Sequence, residues 1–60
     1  MNYINRFVNT ETNMASYVNY HAKGFSVSVK DLDADIFLPS IRIFAIESQA
    51  VEYAKKVVEL

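Results

Sequence analysis

Between Ser16 and Lys30 apolar and polar side chains alternate on both sides of Gly24, and nothing else in the chain restricts its fold as tightly. Alternation of period two belongs to a β-strand whose faces see different surroundings, and two such runs about one glycine predict a β-hairpin. With Lys23-Gly24 as the turn, Ala22 faces Phe25, Tyr20 faces Val27 and Val18 faces Val29, so one surface of the pleat is apolar throughout. The other surface then carries His21 beside Ser26, Asn19 beside Ser28 and Tyr17 beside Lys30. A slip of one residue would put the valines in water, so the pattern fixes which face is which. Glycine second in the loop suits a type I′ turn, which needs positive φ.

The segments on either side follow from the same reading. Residues 2–13 hold Tyr3, Ile4, Phe7 and Val8 and then a polar run from Asn9 to Asn13. A strand or extended arm over residues 2–8 is favoured over a helical turn, because four asparagines and two threonines are poor helix formers. After the hairpin, Asp33-Ala34-Asp35 reads as a three-residue connection that brings Ile41 and Ile43 to the side of Phe25, Val27 and Val29. The strand that follows, residues 36–45, contains Pro39, which has no amide hydrogen and restricts the strand to an edge or to a bulge at that point. From Ser48 the period changes. Ala50, Val51, Ala54, Val57 and Val58 form one stripe, and Gln49, Glu52, Lys55, Lys56 and Glu59 lie opposite, which predicts an amphipathic helix over 48–59 with Ser48 as N-cap.

The expected architecture is therefore α+β in a single domain, residues 1–60. An antiparallel β-meander of three or four strands (16–22, 25–32 and 36–45, with 2–8 as strand or arm) carries one C-terminal helix on one face. A chain of 60 residues buries only about 60% of the surface its unfolded form exposes, so the core needs support. With no cysteine and one histidine, neither a disulfide frame nor a Cys/His zinc site is available, which leaves self-association, with a homodimer as the simplest form. The composition, 52% hydrophobic and 22% charged, is that of a globular chain. A formal charge of −1 provides no field to attract nucleic acid or an anionic membrane, and no stretch approaches a membrane span or a signal peptide, so a cytoplasmic protein is expected.

Candidate chemistry is sparse. Asp31, Asp33 and Asp35 have the spacing that opens a calcium loop, but the sixth and twelfth positions are Ile36 and Arg42 where glycine and glutamate are required. Acids also favour turns by bonding local amides, and that reading is preferred. His21 beside Ser26 suggests a nucleophile and its base, yet the chain has neither a nucleophile elbow nor a glycine run for an oxyanion hole. No catalytic, metal or cofactor site is expected, and the chain reads as a non-enzyme.

What remains is the sheet face away from the helix, expected to present Tyr17, Asn19, His21, Ser26, Ser28, Lys30, Arg42 and Phe44. An open face and a free edge suit binding of another protein or of a second copy, by face docking or strand addition. The expected function is thus a small interaction module that modulates or inhibits a larger protein by occupying its surface. The alternative is a nucleic-acid-binding module in which Tyr17, His21, Lys30 and Arg42 stack bases and hold phosphates. In size and layout the chain is similar to short cysteine-free bacteriophage proteins that bind host enzymes, a likeness that names no partner and carries over no residue.

Overall fold

The computed structural model describes residues 3–59. The chain forms β1 (Asn5–Asn9), β2 (Met14–His21), β3 (Gly24–Asp31), β4 (Ile36–Phe37), β5 (Arg42–Phe44) and α1 (Glu47–Val57). All pairings are antiparallel and follow chain order, β1 to β2 to β3, with β4 and β5 both pairing along the far side of β3. This is an α+β meander with a C-terminal helix, as the alternation of residues 16–30 and the period of the last segment predict. Residues 3–8 of the expected first element are described, and the strand there begins at Asn5; residue 2 lies outside the described part.

The central hairpin turns one residue earlier than the glycine suggests. His21 pairs with Gly24, Tyr20 with Phe25 and Val18 with Val27, so the loop is Ala22-Lys23 and the register differs by two from the expected one. A shift of two keeps every side chain on its own face, and the apolar surface survives. The only positive φ values outside glycine are at Asn13 and Asp35 among the described residues. Ala22 and Lys23 therefore do not form a type I′ turn, and Gly24, with φ of +134°, takes up the twist as the first residue of β3. Its missing side chain also makes room. A Cβ at Gly24 would collide with the carbonyl oxygen of Phe44, so β5 approaches β3 as closely as it does only across a glycine.

The two outer hairpins share one design. In the first, Asn9 Oδ1 accepts the amides of Glu11 and Thr12 at 2.9 and 3.3 Å, and Asn13 closes the loop at φ of 57°. In the second, Asp31 Oδ1 accepts the amides of Asp33 and Ala34 at 3.0 and 3.2 Å, and Asp35 closes it at φ of 58°. Asn and Asp are the side chains best suited to both tasks, bonding the backbone two residues on and tolerating the left-handed region. The two loops also hold each other: Leu32 N donates to Asn13 O at 3.0 Å and Asn13 Nδ2 to Asp33 Oδ1 at 2.6 Å.

The second loop thus spans Leu32 to Asp35, with Asp31 opposite Ile36, rather than the three residues expected. One extra residue inverts the parity of everything after it. Ile43 lies opposite Ser26, and Arg42 and Phe44 lie opposite Val27 and Phe25, so the expected inward face of this strand points outward and the outward face inward. Pro39 falls in the gap between β4 and β5, where two more residues are inserted relative to β3 and the parity is kept.

The helix begins one residue before Ser48. Ile46 is its N-cap in extended conformation with no side-chain hydrogen bond, and Ala50 N donates to Ile46 O at 3.2 Å. Glu47 in the first turn and Lys55 and Lys56 in the last complement the helix dipole. Ala50 and Ala54 let the helix backbone come close to Val18 and Val27, and around these four buried residues stand Phe7, Phe25, Phe44, Val51 and Tyr53, all partly covered. Two polar ties fix the helix in place. Ser16 Oγ, fully buried, donates to Ala54 O at 2.7 Å, and Asn9 Nδ2 donates to Val58 O at the helix C-terminus at 2.6 Å.

Candidate functional site

Strand alternation sets Tyr17, Asn19 and His21 of β2 and Ser26, Ser28 and Lys30 of β3 on the side opposite Val18 and Val27, away from the helix. They do not form one patch. Ser26 is buried, and its pairing partner is Asn19, whereas His21 stands at the hairpin end opposite Gly24 with its Nδ1 accepting the amide of Lys23 at 3.0 Å. The adjacency of histidine and serine expected from the sequence is therefore not formed.

Arg42 and Phe44 are on the other side. Phe44 packs against the core and against Tyr53 of the helix, with ring centroids 5.4 Å apart, and the Arg42 guanidinium lies over both rings at 5.8 and 5.1 Å. Their expected place on the open face is corrected by the four-residue loop, which reverses the parity of β5. The geometry makes them part of the seam between sheet and helix.

The open face instead gathers Tyr3, Arg6 and Phe37, which are not among its expected residues, around Tyr17 and Lys30. Tyr17 is the centre of a row of rings, 5.4 Å from Tyr3 on one flank and 5.5 Å from Phe37 on the other, both inclined rather than stacked flat. Arg6 Nε donates to the Tyr17 hydroxyl at 3.1 Å, and its guanidinium carbon lies 5.5 Å from the ring centre. That hydrogen bond, and then the Coulombic effect of the phenol, raises the Arg6 pKa from its ordinary value. Lys30 reaches over Phe37 at 5.4 Å and pairs with Asp35 at 2.9 Å. The hydrogen bond to Asp35 raises the lysine pKa, and the same bond lowers that of Asp35. Both cations of this face are already engaged within the chain.

The three aspartates of the loop are also each occupied locally: Asp31 with two amides, Asp33 with Asn13, and Asp35 with Lys30. Among the described residues no group of three or more His, Cys, Asp or Glu side chains is placed to hold a metal ion. An open groove of about 450 Å³ lies elsewhere, between the end of β1 and the end of the helix, lined by Phe7, Asn9, Glu11, Lys55, Val58 and Glu59. Lys55 lies across it over the ring of Phe7. Among the described residues, no helix is long and apolar enough to cross a membrane.

The most unusual surface is the margin formed by β4, β5 and the residues around them. Ile36, Phe37, Leu38, Ile41, Ile43 and Ile46 are each between 37% and 57% exposed. Among the described residues the fully buried hydrophobics are Ala15, Val18, Val27, Ala50, Ala54 and Val58, with Ile4, Phe7, Phe25, Phe44, Val51 and Tyr53 partly buried against the core. Small side chains fill the inside while isoleucine, leucine and phenylalanine stand outside along one edge, the reverse of the usual order. A signal for this margin was present in the sequence as the density of large aliphatics between residues 36 and 46. A three-residue loop places Ile41 and Ile43 on the inner face of an edge or bulged strand, whereas the four-residue loop turns them outward. Compared with known protein families, curated proteins and solved structures, the chain has no significant match.

Proposed function

We propose that this chain is a small, non-enzymatic module that binds protein through the apolar margin of residues 36–46, and so modulates a larger protein by occupying its surface. The observation that carries the reading is the inverted burial: six large apolar side chains half exposed along one edge, beside a core of alanine and valine. Exposed apolar surface of this kind is costly in water and marks a place where another surface docks. The row of Tyr3, Tyr17 and Phe37 adjoins the margin through Phe37, so the aromatic face extends the same docking surface.

Binding of nucleic acid has less support. Arg42 lies on the helix side, His21 at the hairpin end and Lys30 in an ion pair, and the Arg6 guanidinium sits beside the ring of Tyr17 where a base would stack. Photo-crosslinking tests the proposal. With a benzophenone side chain at Ile41, the chain should form protein adducts in its source cell, and with the same group at Glu52 on the exposed side of the helix it should not. Equal labelling from both positions, or adducts with nucleic acid alone that vanish steeply with salt, would refute it.

A further inference from the structure

We infer that the groove between β1 and the end of the helix takes an arginine side chain from an extended segment of a partner protein, added as a strand to the free edge of β1. The inference does not depend on the margin of residues 36–46, which lies at the opposite edge of the sheet. Three observations lead to it.

The first is the edge. β1 ends the sheet, and among the described residues no strand pairs along its outer side. Leu32 N donates to Asn13 O, so the odd residues of β2 are the ones bonded to β3, and the even ones, Met14, Ser16 and Val18, are left to bond β1. Their partners Asn9, Phe7 and Asn5 turn their backbone groups inward, while Arg6 and Val8 turn an amide and a carbonyl each outward. Such a row is a template for a short added strand.

The second is the groove. A residue of the added strand opposite Phe7 shares the face of Phe7 and points to the helix side of the sheet. There the groove of about 450 Å³ opens, floored by Phe7 and Val58. Its volume falls within the range of small-ligand sites, roughly 300–1,000 Å³, and gives room to one long side chain. The backbone of an added strand and the groove thus serve the same segment, the first holding it and the second selecting its side chain.

The third is charge. Glu11 and Glu59 line the groove beside the negative end of the helix dipole, and among the described residues neither carboxylate has a salt-bridge partner. Lys55, the one cation in the lining, holds its ammonium over the Phe7 ring, 5.7 Å from the centre, rather than against either acid. The ring is thus already a platform for a cation, and the lining as a whole stays negative. A guanidinium suits it best: its flat face stacks on Phe7 as Lys55 swings to solvent, and its fork of N–H groups reaches a carboxylate.

Amide NMR spectra of the isotope-labelled chain, titrated with the peptide acetyl-Thr-Val-Thr-Arg-Thr-Val-Thr-amide, test this. Signals of Arg6 and Val8 at the edge and of Glu11, Lys55 and Glu59 at the groove should shift together. Citrulline in place of the peptide arginine keeps the shape and removes the charge, and should weaken binding about tenfold, as should Glu11→Gln combined with Glu59→Gln. Lys55→Met removes the resident cation and should strengthen binding instead. All three positions are exposed, so the variants keep the fold. N-acetyl-arginine amide alone should bind more weakly and leave Arg6 and Val8 unmoved. If it binds as tightly as the peptide, a free guanidinium compound is the ligand and strand addition is overturned. No shift at millimolar peptide, or equal binding of the citrulline peptide, overturns the inference. Shifts confined to Ile41 and Ile43 overturn it too, while leaving the docking role of the margin in place.

Discussion

Gly24→Ala is the substitution by which the close approach of β5 to β3 can be measured. Gly24 sits at φ of +134°, which an L-residue rarely adopts, and its Cβ would run into the Phe44 carbonyl oxygen. Holding alanine in that conformation costs about 1–3 kcal/mol. The obstacle is backbone, which a side-chain rotation cannot relieve, so either β5 or the hairpin has to shift. A chain of this length has a total stability of roughly 3–9 kcal/mol, and a loss near 2 kcal/mol lowers the melting temperature by roughly 10–20 °C at fixed chain concentration. The comparison that isolates the cause is D-alanine at the same position, installed by chemical synthesis. D-alanine accepts positive φ and points its methyl in a different direction, so it should keep most of the wild-type stability. Thermal unfolding followed by circular dichroism reads both proteins. If L-alanine melts within about 2 °C of wild type, β5 does not crowd Gly24 in solution; if both alanines are equally damaging, the space at Gly24 is too tight for any methyl and its positive φ is not what demands glycine.

The two polar ties between sheet and helix should be separable by urea titration. Ser16→Ala removes one buried hydrogen bond to the helix and should cost about 1 kcal/mol. Asn9→Ala removes both the bond to Val58 O and the amides gathered by Asn9 Oδ1, and should cost more, about 2 kcal/mol; the reverse order would contradict the role given to Asn9. The Lys30–Asp35 pair makes a prediction in pH. Because the folded state lowers the Asp35 pKa, its contribution is present above the unfolded carboxylate pKa and fades as the pH falls through the folded value; because it raises that of Lys30, the lysine contribution fades only in strong base. Carboxyl NMR titration should place Asp35 below the ordinary aspartate range, and Lys30→Met should return it there; an unchanged midpoint in the variant would show that the pair is absent in solution.

What the sequence made legible, and what it did not, divides along one physical line. Face and element type depend on periodicity, which the side chains of residues 16–30 and 50–58 declare, and a register error of two left the faces of Val18, Val27 and Tyr17 intact. Parity across a loop depends on loop length, which hydrophobicity does not encode. A loop of Asp33-Ala34-Asp35 makes Ile41 and Ile43 core residues, the ordinary preference of isoleucine. The deciding signal was the spacing Asn9…Asn13 repeated as Asp31…Asp35, in which the first side chain holds the turn and the last supplies the left-handed residue. Read that way, each loop has four residues and Phe44 goes inward. Nor could the start of the helix be read from Ser48, because the extended Ile46 ends one residue from Glu47 and the helix forms without a side-chain cap. The row formed by Tyr3, Tyr17 and Phe37 depends on three separate pairings and had no local signature.

Deletion of Ala34 shows which contact decides the parity of the last two strands. If the four-residue loop is rebuilt as Leu32-Asp33-Asp35-Ile36, Phe37 moves from its place opposite Lys30 to one opposite Asp31, and if the strands moved together the shift would also turn Phe44 outward and Ile43 toward the helix. Two forces oppose that second change. Phe44 is held by Tyr53 and the core, an aromatic contact that contributes about 1 kcal/mol beyond its burial, with Arg42 over both rings. Gly24 leaves a gap that fits the Phe44 carbonyl in its present register. Against them stands only the unpaired stretch between β4 and β5, which contains Pro39 and can absorb one residue at little cost. The deletion should therefore reverse β4 alone. NOEs between Phe37 and Tyr17 should disappear while those between Phe44 and Tyr53 persist, and the Ile43 methyls should stay exposed to a soluble paramagnetic probe under conditions where the chain is monomeric. Loss of the Phe44–Tyr53 contacts, with Ile43 newly shielded, would mean that the loop rather than the helix seam sets the margin, and that the exposure of its isoleucines is an accident of one turn.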